Sequence, residues 1–313
     1  VPAPIAFVSR LPASQTTVWL DAFAKALPEA EIRPLQDIRP DARAGIKIAI
    51  VANPDPADLR TLRGLKWIHS VWAGVETIVI ELWDGAPVLS RLVDPEMSRT
   101  MAEAVLAWSY YLQLGLPAYA AQQRQKQWIQ LDYHSPHDVT VGLLGLGQMG
   151  MTAAVRLNSA GFSVIGWSQF TKDTDIDTFA GEAGLKPALQ HADILVCLLP
   201  LTFQTQHILN ADTLAALPHG ASVINFGRGG PVDTHALTEA LNSVALSHAV
   251  LDVFEREPLP VDSGLWEHPH ITILPHISAI TSPKSATQIV ARNIRDYWET
   301  GLRRDVVDIK RGY

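Results

Sequence analysis

Residues 139–167 read VTVGLLGLGQMGMTAAVRLNSAGFSVIGW, and the fold is decided by this stretch. An apolar run ending at Leu144 leads into Gly145-Leu146-Gly147-Gln148-Met149-Gly150, then a helical pattern, then a second β-rich run from Phe162 to Trp167. Strand, glycine turn, helix and strand in that order form the βαβ unit that receives a dinucleotide. Gly145 permits the tight turn, Gly147 lets the backbone approach a pyrophosphate, and Gly150 lets the helix lie close to the strand. The phosphates are expected on the amides of Gln148 and Met149, at the positive end of the helix. A GxGxxG alone reads equally well as a flexible turn; the flanking strand and helix give it meaning.

Downstream, DILVCLLP, ASVINF, SHAVLDVF and ITILP repeat the pattern of buried β-rich runs, most of them separated by helical segments, which predicts a doubly wound parallel sheet. Upstream, from Ile5 to about Val93, the runs IAFVS, KIAIVA and WIHSV alternate with TTVWLDAFAKAL, followed by VETIVIELW. This is a second α/β domain with parallel strands. Between the two, residues 97–128 read as one long helical stretch with more apolar and aromatic side chains than one helix face uses. Two readings stand: burial against a partner subunit, or a core helix between domains. SPKSATQIVARNIRDYWETG, from Ser282 to Gly301, has the start and stop signals of a helix and is expected to pack back on the first domain.

The chain has 313 residues, enough for two cores. With 47% hydrophobic and 18% charged residues it reads as an ordinary globular protein, and a net charge of -7 argues against a nucleic-acid surface. The Arg303-Arg304 pair reads as a solvated helix end. No apolar run is long enough to cross a bilayer, since Met101 to Ala121 is broken by Glu103, Gln113 and Pro117. VPAPIAFVSR lacks a signal peptide's apolar stretch and reads as a first strand. The one cysteine, Cys197, lies inside ILVCLLP and reads as a buried strand residue in a protein of the reducing cytoplasm. The expected partners are small molecules, with neither nucleic acid nor membrane among them, and no set of metal ligands is picked out.

A free adenosine 2′-hydroxyl calls for an acidic residue at the end of the second strand. Here SVIGW runs into Ser168-Gln169-Phe170-Thr171-Lys172 instead. A hydroxyl and an ammonium, Ser168 and Lys172, suit a 2′-phosphate, so NADP(H) is the expected cofactor and NAD(H) the alternative. The bland reading leaves Lys172 as a surface lysine next to Asp173, Asp175 and Asp177.

Three residues follow in fixed order: Arg228 in NFGRGG, Glu257 in DVFEREP and His276 in LPHIS. An isolated arginine is by default a salt-bridge partner. After a buried strand and between glycines, however, its fork can hold a carboxylate and a ketone oxygen together, which lysine cannot copy. A histidine is only partly protonated near neutral pH, so a carboxylate beside His276 keeps it in the acid form; Glu257 is the candidate. The other histidines among the 11, including His268 and His270, have no comparable setting. Asp252 has two readings: it accepts a hydrogen bond from the carboxamide of the cofactor, or it caps local backbone amides.

At WAGVE, GLLGLGQMG, LLPLTFQTQHIL, INFGRGGPVD, LDVFEREPLP, LWEHPHITILPHISAIT and the closing RGY the chain resembles the D-isomer-specific 2-hydroxyacid dehydrogenases. The resemblance implies a flavodoxin-like substrate domain, residues 1–100 with 282–313, and an inserted Rossmann domain, residues 101–281, that binds NAD(P) and supplies the contact of a homodimer. It implies Arg228 as the substrate-orienting cation, His276 as acid/base and Glu257 as its partner. Amides of Ala73, Gly74 and Val75 would hold the substrate carboxylate in a cleft that closes on binding. Cofactor contacts extend to Pro200, Thr205, Phe226 and Gly227. Two departures stand out: WSQFTK has fewer basic residues than relatives carry there, and Trp72 replaces a small residue before AGV, where it narrows the substrate pocket or packs beneath it.

The expected activity is NADPH-dependent reduction of small 2-keto acids, glyoxylate and hydroxypyruvate foremost. The rivals are an NADH-preferring dehydrogenase of a bulkier 2-hydroxy acid and a nucleotide-sensing binding protein without catalysis.

Overall fold

The computed structural model describes residues 4–82 and 85–312. The first residues of VPAPIAFVSR, Trp83 of VETIVIELW and Tyr313 of RGY lie outside the described residues. The chain divides into two compact units, Val1–Asp94 with Thr281–Tyr313, and Pro95–Ile280.

The first unit holds β1 (Ile5–Ser9), α1 (Ala13–Ala26), β2 (Ile32–Pro34), β3 (Ile48–Ala52), α2 (Pro56–Arg60), β4 (Trp67–Ser70), α3 (Glu76–Glu81) and β5 (Val88–Ser90). The strands make one parallel sheet in the order β2-β1-β3-β4-β5. β3 and β4 are buried along their whole length, as expected of inner strands covered on both faces. Burial extends in β4 to two polar residues, His69 and Ser70. VETIVIELW contributes the short helix α3, with Ile80 at the surface. The C-terminal helix Pro283–Thr300 completes the unit: Arg295 bonds Glu29 and the carbonyl of Ala26, and Gly301 ends the helix in the left-handed region. Arg303, expected to be solvated, lies over the Tyr297 ring at 4.8 Å from its centre.

The second unit runs α4 (Pro95–Gln113), α5 (Leu116–Gln125), β6 (Thr140–Leu144), α6 (Gln148–Ser159), β7 (Ser163–Ser168), β8 (Asp177–Ala180), α7 (Gly181–Leu189), β9 (Ile194–Cys197), α8 (Ala211–Leu214), β10 (Ala221–Asn225), α9 (Thr234–Asn242), β11 (Leu246–Leu251) and β12 (Ile271–Ile273); the C-terminal helix is α10. Its strands form a parallel sheet in the order β12-β11-β10-β9-β6-β7-β8, with the chain reversing direction of growth between β6 and β9. Alternate residues face opposite layers: Leu195 and Cys197 join Leu185, Leu237 and Leu241, whereas Ile194 and Val196 join Met101, Val105, Ala153 and Leu157 of α4 and α6. The register sets Trp167, Leu144, Cys197, Asn225, Leu251 and Ile273 in one row across the sheet. Six loops therefore leave the sheet from one edge, where open α/β sheets bind their ligands.

The stretch 97–128 is not one helix. Gly115 stands at φ +65 between α4 and α5, and Pro117 in the first turn of α5 has no N–H to return into α4. α4 buries Met97, Met101, Ala102, Val105 and Leu106, but α5 buries nothing. The apolar excess beyond α4 lies at the surface, on Leu114, Leu116, Ile129, Tyr133 and the 98% exposed Trp128. Three strands went unread in the sequence, β2, β5 and β8; each is a sheet edge of three or four residues. Among the described residues, no helix is long and apolar enough to cross a membrane.

Candidate active site

The glycine turn closes the carboxyl end of β6. Gly145 lies at φ +104, which only glycine adopts readily, and a Cβ on Gly150 would stand 1.9 Å from the Gly145 carbonyl oxygen. A Cβ on Gly147 would meet nothing within 4 Å. Two glycines are thus required by the protein itself, whereas Gly147 faces open space. The first amides of α6, Gln148 and Met149 among them, have no partner inside the helix and carry its positive end. This cradle fits a pyrophosphate.

At the end of β7 the buried hydroxyl of Ser168 donates to the Phe170 carbonyl at 2.6 Å, and Lys172 is exposed in the loop beyond. After β9, Thr205 Oγ1 donates to the Pro200 carbonyl at 2.7 Å and accepts from the Thr202 amide, which fixes that loop. Phe226 is buried, and its amide bonds the Cys197 carbonyl. Asn225, not singled out in the sequence, organises the next turn: its Oδ1 accepts from the Gly227 amide and its Nδ2 donates to the Arg228 carbonyl. Its only signal was an amide at the end of a buried, largely apolar strand. Arg228 donates from Nη1 to the Gly227 carbonyl at 2.8 Å. Gly229 must be glycine, because a Cβ there would stand 2.0 Å from the Phe254 carbonyl carbon; the arginine loop is pressed against the loop of Glu257.

Glu257 and His276 meet directly, with His276 Nδ1 2.7 Å from Glu257 Oε2. The other carboxylate oxygen accepts the Phe254 amide at 2.9 Å. The bond to Glu257 raises the pKa of His276 most; its charge and that of Asp252 act the same way, and burial and the charge of Arg228 act against them. For Glu257 burial is the largest single influence and opposes ionisation. The bonds from His276 and Phe254 and the charges of His276 and Arg228 together outweigh it, so its pKa falls. Glu257 is therefore a carboxylate, and its acceptor oxygen sets Nδ1 of His276 as a donor. Nε2 is left to work on another molecule. Arg228 lies within Coulombic reach of both partners.

Of the two readings of Asp252, the structure displays the capping one. Its Oδ1 accepts the Ile277 amide at 2.7 Å, its Oδ2 the Ser278 amide at 2.9 Å, and its carbonyl the His276 amide at 3.0 Å. These three bonds hold His276 at φ +56, a conformation a non-glycine residue rarely adopts.

Trp72, Ala73, Gly74 and Val75 belong to the other compact unit, in the loop after β4. The Trp72 ring meets Trp19 of α1 edge to face at 5.5 Å. Within this unit a cavity of about 340 Å³ is lined by Arg10, Asn53, Trp72, Gly74, Val75 and Glu76 among others.

The fold and this arrangement define a nucleotide-dependent oxidoreductase class, and the chain belongs to the D-isomer specific 2-hydroxyacid dehydrogenase family: the family's NAD binding domain matches residues 109–278. A glyoxylate/hydroxypyruvate reductase A of Citrobacter koseri is 35% identical over 309 residues, which cover 96% of this chain and 98% of that protein. A D-isomer specific 2-hydroxyacid dehydrogenase of Xanthobacter autotrophicus Py2, crystallised with NADPH and MES, shares 34% identity and a TM-score of 0.92 over the whole of both chains. An NADPH-dependent glyoxylate/hydroxypyruvate reductase of Sinorhizobium meliloti, crystallised with NADP and sulfate, gives 33% and 0.90 over 99% of this chain and 100% of the other. The protein is a member of a family of NAD(P)-dependent enzymes that reduce small 2-keto acids.

Proposed function

We propose that the protein is a glyoxylate/hydroxypyruvate reductase of the A type, which uses NADPH to form glycolate and D-glycerate. The observation that carries this reading is the 2.7 Å bond between His276 and Glu257, within the field of Arg228. NADPH, when bound, supplies the hydride. Arg228 grips the substrate carboxylate and keto oxygen, and amides of Ala73, Gly74 and Val75 add donors to the carboxylate. As the keto carbon is reduced, His276 Nε2 gives its proton to the oxygen and becomes neutral. Glu257 keeps the ring charged beforehand and fixes its tautomer, much as a buried carboxylate serves a catalytic histidine elsewhere.

NADPH is supported by the absence of an acidic residue at the end of β7, by Lys172, and by the cofactors in the similar structures from Xanthobacter and Sinorhizobium. Gly145, Gly147, Gln148, Met149 and Gly150 are assigned to the pyrophosphate. Pro200, Thr205, Phe226 and Gly227 are assigned to the remainder of the nucleotide and Ser168 and Lys172 to its 2′-phosphate. Asp252 serves by holding the His276 loop. A homodimer is supported by the exposed apolar side chains between Leu114 and Tyr133. A reducing compartment suits Cys197, whose thiol burial pushes up to about 12.

Steady-state kinetics with glyoxylate, hydroxypyruvate and phenylpyruvate, each with NADPH and NADH at equal concentration, test the reading. The expected result is the highest kcat/KM for the two small acids with NADPH. A preference for phenylpyruvate with NADH replaces it with the bulkier-substrate dehydrogenase; tight nucleotide binding without turnover replaces it with a sensor.

A further inference from the structure

Behind the loop of Trp72–Val75, the first unit contains a polar chain that the reaction itself does not use. His69, Ser70 and Asn293 are each fully buried, although 224 residues separate His69 from Asn293 in sequence. Asn293 of α10 donates from Nδ2 to His69 Nε2 at 3.0 Å and to Asp305 Oδ2 at 3.2 Å. His69 Nδ1 stands 2.9 Å from the Ser70 carbonyl oxygen. Only one proton arrangement satisfies both contacts of the ring: Nε2 accepts from the amide, and Nδ1 carries the hydrogen and donates to Ser70. Burial holds the ring neutral, with a pKa lowered to about 4. Ser70 passes the constraint forward, since its Oγ accepts the Trp72 amide at 3.0 Å. The Val51 carbonyl takes the Val71 amide and the Leu92 amide bonds the Trp72 carbonyl, so the chain is tied down as far as Trp72. Beyond it, among the described residues, the amides of Ala73, Gly74 and Val75 have no partner. A buried polar chain that ends at unsatisfied donors orients them at the expense of an apolar core.

We propose that His69 and Asn293 are positioning residues for the carboxylate-binding amides of residues 73–75. They act through Ser70, with Asn293 setting the His69 tautomer that locks the Ser70 carbonyl. This rests on the assignment of those amides to the substrate carboxylate. A misdirected donor turn weakens substrate binding and leaves the nucleotide site and proton transfer alone.

The test compares wild type with Asn293→Leu, which removes the donor at similar volume, and Ser70→Ala, which cuts the chain one step nearer the turn. Expected is a rise of about tenfold in KM for glyoxylate in each, with kcat changed by less than about twofold and the NADPH Kd unchanged. The double variant should be no worse than the weaker single variant, because both cut one chain. In wild type, 15N spectra should assign the proton of His69 to Nδ1. Lowered melting temperatures with unchanged KM make the network merely structural and overturn the inference, as does a proton on Nε2. Should Asn293→Leu fail to fold, Ser70→Ala and the tautomer decide. A wild-type protein that turns over no 2-keto acid instead overturns the functional reading, with the tautomer still to be read from the spectra.

Discussion

At the level of single side chains, the site is a matter of which atoms are already spoken for. Glu257 spends both oxygens, one on the Phe254 amide and one on His276 Nδ1, so its contribution to His276 is directional as well as electrostatic. In the proposed mechanism reduction uses the imidazolium, so kcat/KM should be full below the His276 pKa and fall as pH rises through it. Since Glu257 raises that pKa above its ordinary value, Glu257→Gln should move the falling limb to lower pH, besides lowering the rate. Profiles of kcat/KM for glyoxylate reduction check this, and an unmoved limb removes Glu257 from its role. Arg228→Lys keeps a charge but loses the fork, and kcat/KM should fall on the order of a hundredfold. A loss below about threefold would mean that one point charge suffices. These three residues were legible in the sequence because each follows a β-rich run in a motif of glycines or prolines. Asp252 was not decidable there, since a strand-end carboxylate looks the same whether it awaits a ligand or caps Ile277 and Ser278. Nor could the sequence disclose that Ser168 turns its hydroxyl hydrogen on the Phe170 carbonyl within its own loop.

At the level of elements, the glycine turn separates demands of the fold from demands of a ligand. Gly150→Ala drives a Cβ into the Gly145 carbonyl, so α6 must move off β6; a loss of about 1–3 kcal/mol is expected, together with weaker nucleotide binding. Gly147→Ala adds its methyl to open space at an ordinary φ of −75. It should leave the melting temperature unchanged and raise the Kd for NADPH, as read by fluorescence titration. Equal effects of both substitutions on stability would deny Gly147 its place at the phosphates. The long elements were readable, because inner strands such as IAIVA and the helix 283–300 repeat their signals over many residues. The short edge strands IRP, VLS and DTFA carry no period, being paired on one side only. The break at Gly115 was present in the sequence as Gly-Leu-Pro, but apolar content on both sides disguised it; exposure, which composition does not report, tells α5 from α4.

At the level of the whole molecule, two α/β units each enclose a histidine that must remain neutral to stay buried. His69 serves the first, and His248, bonded through Nε2 to Thr272 on the neighbouring strand, serves the second. Both are lowered to about 4, by burial above all, with His270 and His268 adding positive charge near His248. In the unfolded chain the same imidazoles titrate near 6.5. Between those values the unfolded state binds protons that the folded state refuses, so stability is whole above about pH 6.5 and declines as pH falls toward 4. His276 works in the other direction: its raised pKa adds stability below 6.5 that is lost as pH rises through the raised value, but the ring is half exposed and its contribution is screened. Denaturant unfolding at pH 7.5, 6.0 and 5.0, above the range where most carboxylates titrate, should therefore give midpoints that fall with pH. In His248→Gln, which keeps a polar side chain with no proton to gain, the decline should be shallower. Midpoints that stay level from 7.5 to 5.0 would mean that the interior admits the charged rings, and with them the claim that His69 is held neutral behind the Trp72 loop would fail.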